Sequence, residues 1–409
     1  MFSAKKVTTS MGTDVQVRVL RTISEIDEIR STWGAWPGNR DSDPDAYLSY
    51  MRSSPQGVQP YIIVVYRGGQ PVVMLVGRAE TVHLDFKVGY LHFRPKANLL
   101  YFVYGGPRGN ASSQNCELLV AEICKSLSSG EGDAAYLNFV RTDSDLCRLA
   151  RTTTSVFSRD RVSAIQPHFR AVLPNSVEEF HRGLSPKVRK NLRWKKMMQD
   201  FAGAVTIKIF KDIGEVDRLA EVAEGISAKS YQRGLGVGFR DGPGTRERLR
   251  LGAQKGWLRG YVLYLADRPC AFWIGDINRT TFGSDYLAYD PTFGKYSPGM
   301  YLSMRIIEGF CAKRGDDVSE VDFGPGHAEY KEALGNHKWQ EASVYIFAPS
   351  VKGLGLNILR SSTAIVETIA KRALNQAGLL QRIKKSWRTR ARIKAQTKNA
   401  PITGRLRNG

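Results

Sequence analysis

The chain has little with which to build a metal centre or a disulfide framework. Its five cysteines, Cys116, Cys124, Cys147, Cys270 and Cys311, are scattered and odd in number, and no Cys-x-x-Cys pair or Cys/His cluster occurs. Structural zinc and disulfide scaffolds both depend on close, paired spacing, so reduced, buried thiols and no metal are expected. No stretch approaches the ~18 consecutive apolar residues of a membrane span. The opening Met1-Phe2-Ser3-Ala4-Lys5-Lys6 carries early positive charge, but the ~7 to 15 apolar residues of a secretory signal do not follow it. A cytoplasmic location is therefore expected. Also missing are helix-turn-helix, zinc-finger and RNA-recognition signatures, so nucleic acid is a rival partner supported by charge and two tryptophans, Trp194 and Trp387, and is not the one expected.

Acidic residues are scarce, and unevenly so. The formal charge is +21, yet residues 352–409 contain 14 Lys and Arg against the single acid Glu367, while the preceding 351 residues contribute only +8. Most of the excess therefore belongs to a C-terminal tail. Within it Leu354, Ile358, Ile365, Ile369 and Ala373 keep helical spacing, and Arg382-Ile383-Lys384-Lys385-Ser386-Trp387-Arg388 follows Gly378. A basic amphipathic segment with a Trp suits peripheral contact with an anionic membrane at its inner face. The alternative is a solvated helical extension.

What is present describes a folded body. Apolar residues make up 42% and aromatics 10% of 409 residues, enough for two domains with cores. Ile23 to Trp33 has a helical pattern with Ser24 as a candidate cap, and Asp43-Pro44-Asp45 opens a second helix. Apolar runs flank Arg67-Gly68-Gly69-Gln70 and, later, Ala266-Asp267-Arg268-Pro269, as in hairpins. A helix, hairpin, polar strand, helix and strand are thus written twice, and an α+β fold in two lobes follows. The expected boundaries are residues 1–170, 171–350 and a basic tail over 351–409.

The most informative stretch lies near the end of the second lobe. Strands expected over Arg268 to Ile277 and Thr280 to Tyr289 meet at Asn278-Arg279. Tyr296-Ser297-Pro298-Gly299-Met300 follows, and then apolar residues Met300, Met304, Ile307 and Cys311 at helical spacing. A helix start at Pro298 leaves N–H groups pointing outward, as phosphate sites require, and Gly299 permits close approach to the backbone. A strand over Val318 to Phe323 leads into Asp322-Phe323-Gly324-Pro325-Gly326 and Tyr330-Lys331. Upstream, Ser185 caps a basic helix over residues 185–200 in which Lys187, Arg189, Lys190, Arg193, Lys195 and Lys196 surround Val188, Leu192 and Met198. Such density calls for an anion: CoA phosphates, an anionic acceptor, or nucleic acid with Trp194 and Trp387 as stacking surfaces. Arg240-Asp241-Gly242-Pro243-Gly244, with no strand before it, is expected to be a surface loop.

Ser185-Pro186-Lys187-Val188-Arg189-Lys190-Asn191-Leu192-Arg193, Tyr296-Ser297-Pro298-Gly299 and Asp322-Phe323-Gly324-Pro325-Gly326-His327-Ala328-Glu329-Tyr330-Lys331 together resemble the GNAT acyltransferase superfamily. Specifically they look like its bacterial cellulose and exopolysaccharide branch, related to the Fem peptidoglycan aminoacyltransferases, and the resemblance covers roughly residues 170 to 345. It implies two GNAT-like lobes, each a mixed, mostly antiparallel sheet flanked by helices. It also implies transfer of an acyl group, acetyl above all, from acyl-CoA to an amine or hydroxyl of a sugar or envelope precursor. Tyr296, Ser297, Pro298, Gly299, Met300, Lys187, Arg189, Lys190 and Arg193 would then hold the CoA. Lys331, with Tyr330 in the aromatic place, takes the oxyanion-stabilising role of the Fem relatives. Asp322 is the leading base candidate, Glu320 the second, and His327 shares the loop; the bland role for Asp322 is to cap a turn. Many GNAT proteins carry an Arg/Gln-x-x-Gly-x-Gly/Ala loop where this chain has only Tyr-Ser-Pro-Gly. A Fem-like aminoacyl-tRNA donor and a binding protein without catalysis are the other readings.

Overall fold

A computed structural model describes residues 14–54, 57–88, 91–152, 155–189, 192–234, 236, 238–313 and 315–376. The chain forms two compact units, one from residues up to His168 together with Trp339–Ala373, the other from Phe169–Lys338. Each is α+β.

In the first unit, helix Ile23–Ala35 begins with a capping box in which the Thr22 side chain accepts from the Glu25 N–H and the Glu25 carboxylate accepts from the Thr22 N–H. Thr22, not Ser24, is therefore the cap: Ile23 already has helical geometry, which leaves Ser24 inside the first turn. Asp43 caps helix Pro44–Ser53 as expected. The Ile62–Arg67 and Gln70–Leu75 hairpin closes through Gly68 and Gly69, both at positive φ, a turn geometry that glycine adopts without strain. Alternate residues of Ile62–Arg67 serve opposite faces. Ile62 and Val64 meet the two N-terminal helices, while Ile63 and Val65 pack with Leu119 and Ile123 of helix Ser113–Ser128. That helix links Lys96–Phe102 to Ala134–Arg141, which lie parallel. Strand His337–Phe347 pairs antiparallel with Ala134–Arg141, which is why the segment after Trp339 belongs to this unit. Helix Val351–Gln376 follows. The tail segment around Trp387 lies outside the described residues.

The second unit orders its strands Val205–Phe210, Leu258–Leu265, Arg268–Asn278, Thr281–Tyr289, Glu320–Pro325 and the end, from Phe169 on, of strand Ala164–Val172. The first three ladders are antiparallel, whereas Thr281–Tyr289 and Glu320–Pro325 are parallel. The expected hairpin turns are there, with Ala266, Asp267 and Arg279 at positive φ. Arg268–Asn278 is buried on both faces: Ala271 and Trp273 join helix Pro298–Cys311, while Phe272 and Ile274 join helices Val216–Ser227 and Pro243–Gln254. A strand between two helical layers has no polar face, which explains its near-continuous apolar sequence. The Gly242-Pro243 pair expected in a loop instead opens helix Pro243–Gln254, with Asp241 held by Arg246. Proline at the first helical position needs no N–H partner, so a Gly-Pro pair can start a helix.

The Arg268–Asn278 strand shifts register against its neighbour between Ile274 and Gly275. A side chain on Gly275 would collide with the Gly283 carbonyl and the Phe282 ring. Gly275→Ala should therefore destabilise the second unit by about 3 kcal/mol, the upper range for overpacking, and thermal denaturation followed by circular dichroism would measure it. An unchanged transition would mean that the bulge relaxes at no cost.

Candidate acyl-transfer site

The site grows from one seam. Thr281–Tyr289 has nine residues, yet only Thr281, Phe282 and Gly283 align with Glu320, Val321 and Asp322. Beyond that point the parallel ladder ends, and because the strands run the same way, both chains leave the sheet at the same edge. Ligands of sheets with parallel strands characteristically bind at such carboxyl ends.

From Thr281–Tyr289 the chain passes through a short 3-10 turn, Pro291–Tyr296, which sequence reasoning did not resolve from the helix start. Asp290 caps it, accepting from the N–H and hydroxyl of Thr292, and Lys229 donates to the same carboxylate at 2.8 Å. Desolvation opposes the charge on Asp290, but these hydrogen bonds prevail and hold its pKa below the usual carboxylate value. Ser297 then adopts left-handed geometry, φ 53°, and Pro298 begins a 14-residue helix. The Ser297 side chain does not cap this helix, and the first helical N–H to find a carbonyl is that of Tyr301, bonded to Ser297 O at 3.1 Å. Gly299 and Met300 thus present N–H groups at the positive end of the helix dipole. A Cβ on Gly299 would make only ordinary contact with Tyr289, so protein packing does not demand glycine there.

The basic segment reaches this turn. Arg193 Nη1 donates to Ser297 Oγ at 2.9 Å, placing a guanidinium beside the helix start. The segment forms two helices, Pro186–Arg189 and Leu192–Asp200, with Ser185 accepting from the Val188 N–H as a cap would. Arg189 is exposed; Lys190 and the side chain of Lys187 lie outside the described residues. The expected apolar line needs correction. Trp194 and Met197 are buried and Met198 is 45% exposed, because Trp194 packs edge-on against Tyr301 while Met197 fills the core. Trp194 is therefore no stacking surface. Tyr296 is likewise buried, its hydroxyl donating to Asp200 at 2.6 Å and its ring packed on Phe201, so it ties the turn to the basic helix. Met300 packs against the core.

At the other side of the seam, Asp322 Oδ1 accepts the Gly324 N–H at 2.8 Å and Oδ2 accepts from Arg170 at 3.3 Å. The turn-capping geometry is thus present. Arg170 also bonds Glu320 at 3.0 Å, and sequence reasoning missed it entirely: a lone Arg in Ala164–Val172 carries no motif. Glu320 further accepts from the Thr281 hydroxyl, which leaves both carboxylates engaged. Gly324 has φ 73°, where a side chain would be strained. The turn feeds helix Glu329–Leu334, whose Tyr330 packs edge-on against Phe323. Lys331 reaches back, and its ammonium donates to the carbonyls of Gly324 at 3.2 Å and Pro325 at 2.8 Å. Desolvation pulls its pKa down to about 8, partly offset by the nearby Asp322 charge. His327 is exposed and pairs with Glu332. Among the described residues, no group of His, Cys, Asp and Glu could hold a metal ion, and no helix is long and apolar enough to cross a membrane.

Residues 186–332 match the family model described as "Acetyltransferase (GNAT) domain". The matched stretch contains the basic helix, the Pro298 turn and the Asp322-to-Lys331 loop, and the match identifies the protein as an acyltransferase. Among solved structures, a tandem GNAT protein from the clavulanic acid biosynthesis pathway is similar at 10% identity and a TM-score of 0.47, covering 82% of this chain and 99% of that one. FemX is similar at 12% identity and a TM-score of 0.45, covering 77% and 95%. A probable N-acyltransferase from Enterococcus faecalis V583 has 12% identity and a TM-score of 0.38, covering 82% and 73%. No curated protein matches this chain.

The Lys331 proton gives a direct check. Carbon-13 labelling of the lysine side chains should reveal one titration with a midpoint near 8, lost in Lys331→Gln; a folded protein whose lysines all titrate near the ordinary ~10.4 would show that water reaches the ammonium. Because the folded pKa lies below the unfolded one, the folded state binds fewer protons between about 8 and ~10.4. This group therefore adds stability as pH rises through that window.

Proposed function

We propose that the second unit transfers an acyl group, acetyl in the first instance, from acyl-CoA to an amine or hydroxyl of a sugar or cell-envelope precursor. The observation that carries the donor is the anion cradle at Pro298: the N–H groups of Gly299 and Met300 and the Arg193 guanidinium converge on one turn. Phosphate groups fit such a site because dipole, N–H geometry and cation act together. Lys187, Arg189 and Lys190 extend the positive charge along the same segment. The acceptor class rests on the likeness of the Ser185, Tyr296 and Asp322 motifs to the exopolysaccharide branch. Such an acceptor would station the protein at the cytoplasmic side of a membrane.

The transfer needs attack by the acceptor on the thioester carbonyl, formation of the C–N or C–O bond, departure of the thiolate and loss of one proton from the acceptor. Acyl-CoA supplies the activated carbonyl. Lys331 supplies the positive charge that the developing oxyanion needs, from a partly dehydrated position where it acts strongly. Two of its N–H donors are fixed on the Gly324 and Pro325 carbonyls, which orients the third. Asp322, the leading base candidate, has its two oxygens committed to Gly324 and Arg170. A carboxylate so engaged suits positioning of the loop and of the Lys331 charge better than proton uptake.

Calorimetry with acetyl-CoA should detect binding, weaker by about tenfold in Arg193→Ala, the scale of one charge-assisted hydrogen bond. No heat at millimolar donor would remove CoA and turn attention to aminoacyl-tRNA. With an accepted substrate, Lys331→Ala should lower kcat by ~100-fold or more with donor affinity nearly unchanged. Since the ammonium form is the useful one, wild-type activity should decline as pH rises through about 8. In Asp322→Asn that decline should move to lower pH, because the charge that supports the Lys331 proton is gone. If activity in this variant instead lost its acidic limb, Asp322 would be the base after all.

A further inference from the structure

Helix Val351–Gln376 leaves a second apolar face exposed, besides the one with which Leu356 and Leu359 join the core. Leu356, Asn357 and Thr363 are buried within the first unit, and Arg360 is tied to the buried Asp160 by two hydrogen bonds. The outward face carries Val351, Leu354, Ile358, Ile365, Val366 and Ile369, all between 38% and 93% exposed. At 100° per residue these six fall within one arc over five turns, broken only by small residues such as Gly355 and Ser362. A helix on a protein surface ordinarily turns its charged side to water. A second apolar element lies beside it: Asn357 Nδ2 donates to the carbonyls of Phe157 at 2.7 Å and Arg159 at 3.1 Å, pinning a turn on which Val156 and Phe157 are 60% and 66% exposed. A contiguous exposed apolar patch of this extent marks an interaction surface.

We infer that this face of the first unit docks on an anionic lipid surface, with the helix lying in the plane of the interface and Val156 and Phe157 inserted beside it. Charge selects the partner. Beyond Gln376 the sequence has ten Lys and Arg and no acid, so the charge of the chain that leaves this helix is of one sign. An apolar stripe followed by a basic segment is the arrangement that binds headgroups and acyl chains together. A second copy of the chain carries the same excess of positive charge and so offers it no opposite charge. The helix is too polar to cross a bilayer, so attachment is peripheral. This inference stands on the first unit and the helix alone, independently of the acyl-transfer reading.

The test uses the full chain. Sedimentation with vesicles of phosphatidylcholine containing phosphatidylserine should show binding that falls with salt, as screening at ~8 Å predicts, and that is much weaker with phosphatidylcholine alone. Ile358→Glu with Ile365→Glu, both exposed and therefore compatible with folding, should reduce binding about tenfold or more while the far-ultraviolet spectrum stays unchanged. Phe157→Glu should act in the same direction through the separate turn. Wild-type vesicle binding in the folded double variant would overturn the inference, leaving the basic segment alone as the anchor. So would an absence of vesicle binding combined with a dimer that the double variant splits, since the face would then be a contact between copies.

Discussion

Everything at the candidate site depends on two strands that run parallel for three residues and then part. A parallel pair cannot be joined by a tight turn, so the chain must cross over through helix Pro298–Cys311 before returning as Glu320–Pro325. That detour puts a helix start at the end of one strand and a glycine turn at the end of the other, along the same edge of the sheet. The crossover holds because the helix is buried over most of its length, and because its own Phe310 packs on Phe282, which in turn meets Trp273 and, through it, Phe323. The first unit has a similar crossover, from Lys96–Phe102 through Ser113–Ser128 to Ala134–Arg141, but without the Asp-Phe-Gly turn.

Electrostatics divides the edge into two parts with different tasks. At the helix start a guanidinium, a dipole and N–H groups all have the same sign, and each favours an anion. In the Asp322 loop the charges are arranged for one another. Arg170 joins Glu320 and Asp322, Asp322 holds the turn at Gly324, and Lys331 is held by the carbonyls of that turn. The result is a lysine kept partly dry, with its pKa set by burial against the nearby carboxylate.

The alternation of apolar residues and the turn dipeptides were enough to show the two hairpins of the second unit, the helix at Pro298 and the strand into Asp322. Local chemistry dictates these elements: Arg279-Thr280 and Ala266-Asp267 close tight turns, and proline starts a helix where its missing N–H costs nothing. Trp194 was misjudged because a basic helix looks solvent-facing when read alone, and only the packing of Tyr301 shows which face turns inward. Arg170 was invisible for a related reason. Its partners lie some 150 residues downstream, and pairing between separate strands leaves no mark on either.

The amino-acid order by itself determined the α+β class, the helix start at Pro298, the glycine turn after Asp322 and the concentration of positive charge beyond residue 351. Each depends on periodicity, backbone preference or composition, which act within a few residues. Tertiary structure alone decided that Arg193 lies against Ser297, that Lys331 folds back onto its own turn and that Arg170 closes the carboxylate pair. It also decided that Val351–Gln376 turns an apolar side outward. These outcomes depend on which faces are covered by the rest of the chain, because hydrogen bonds, dehydration and exposure are properties of neighbours in space.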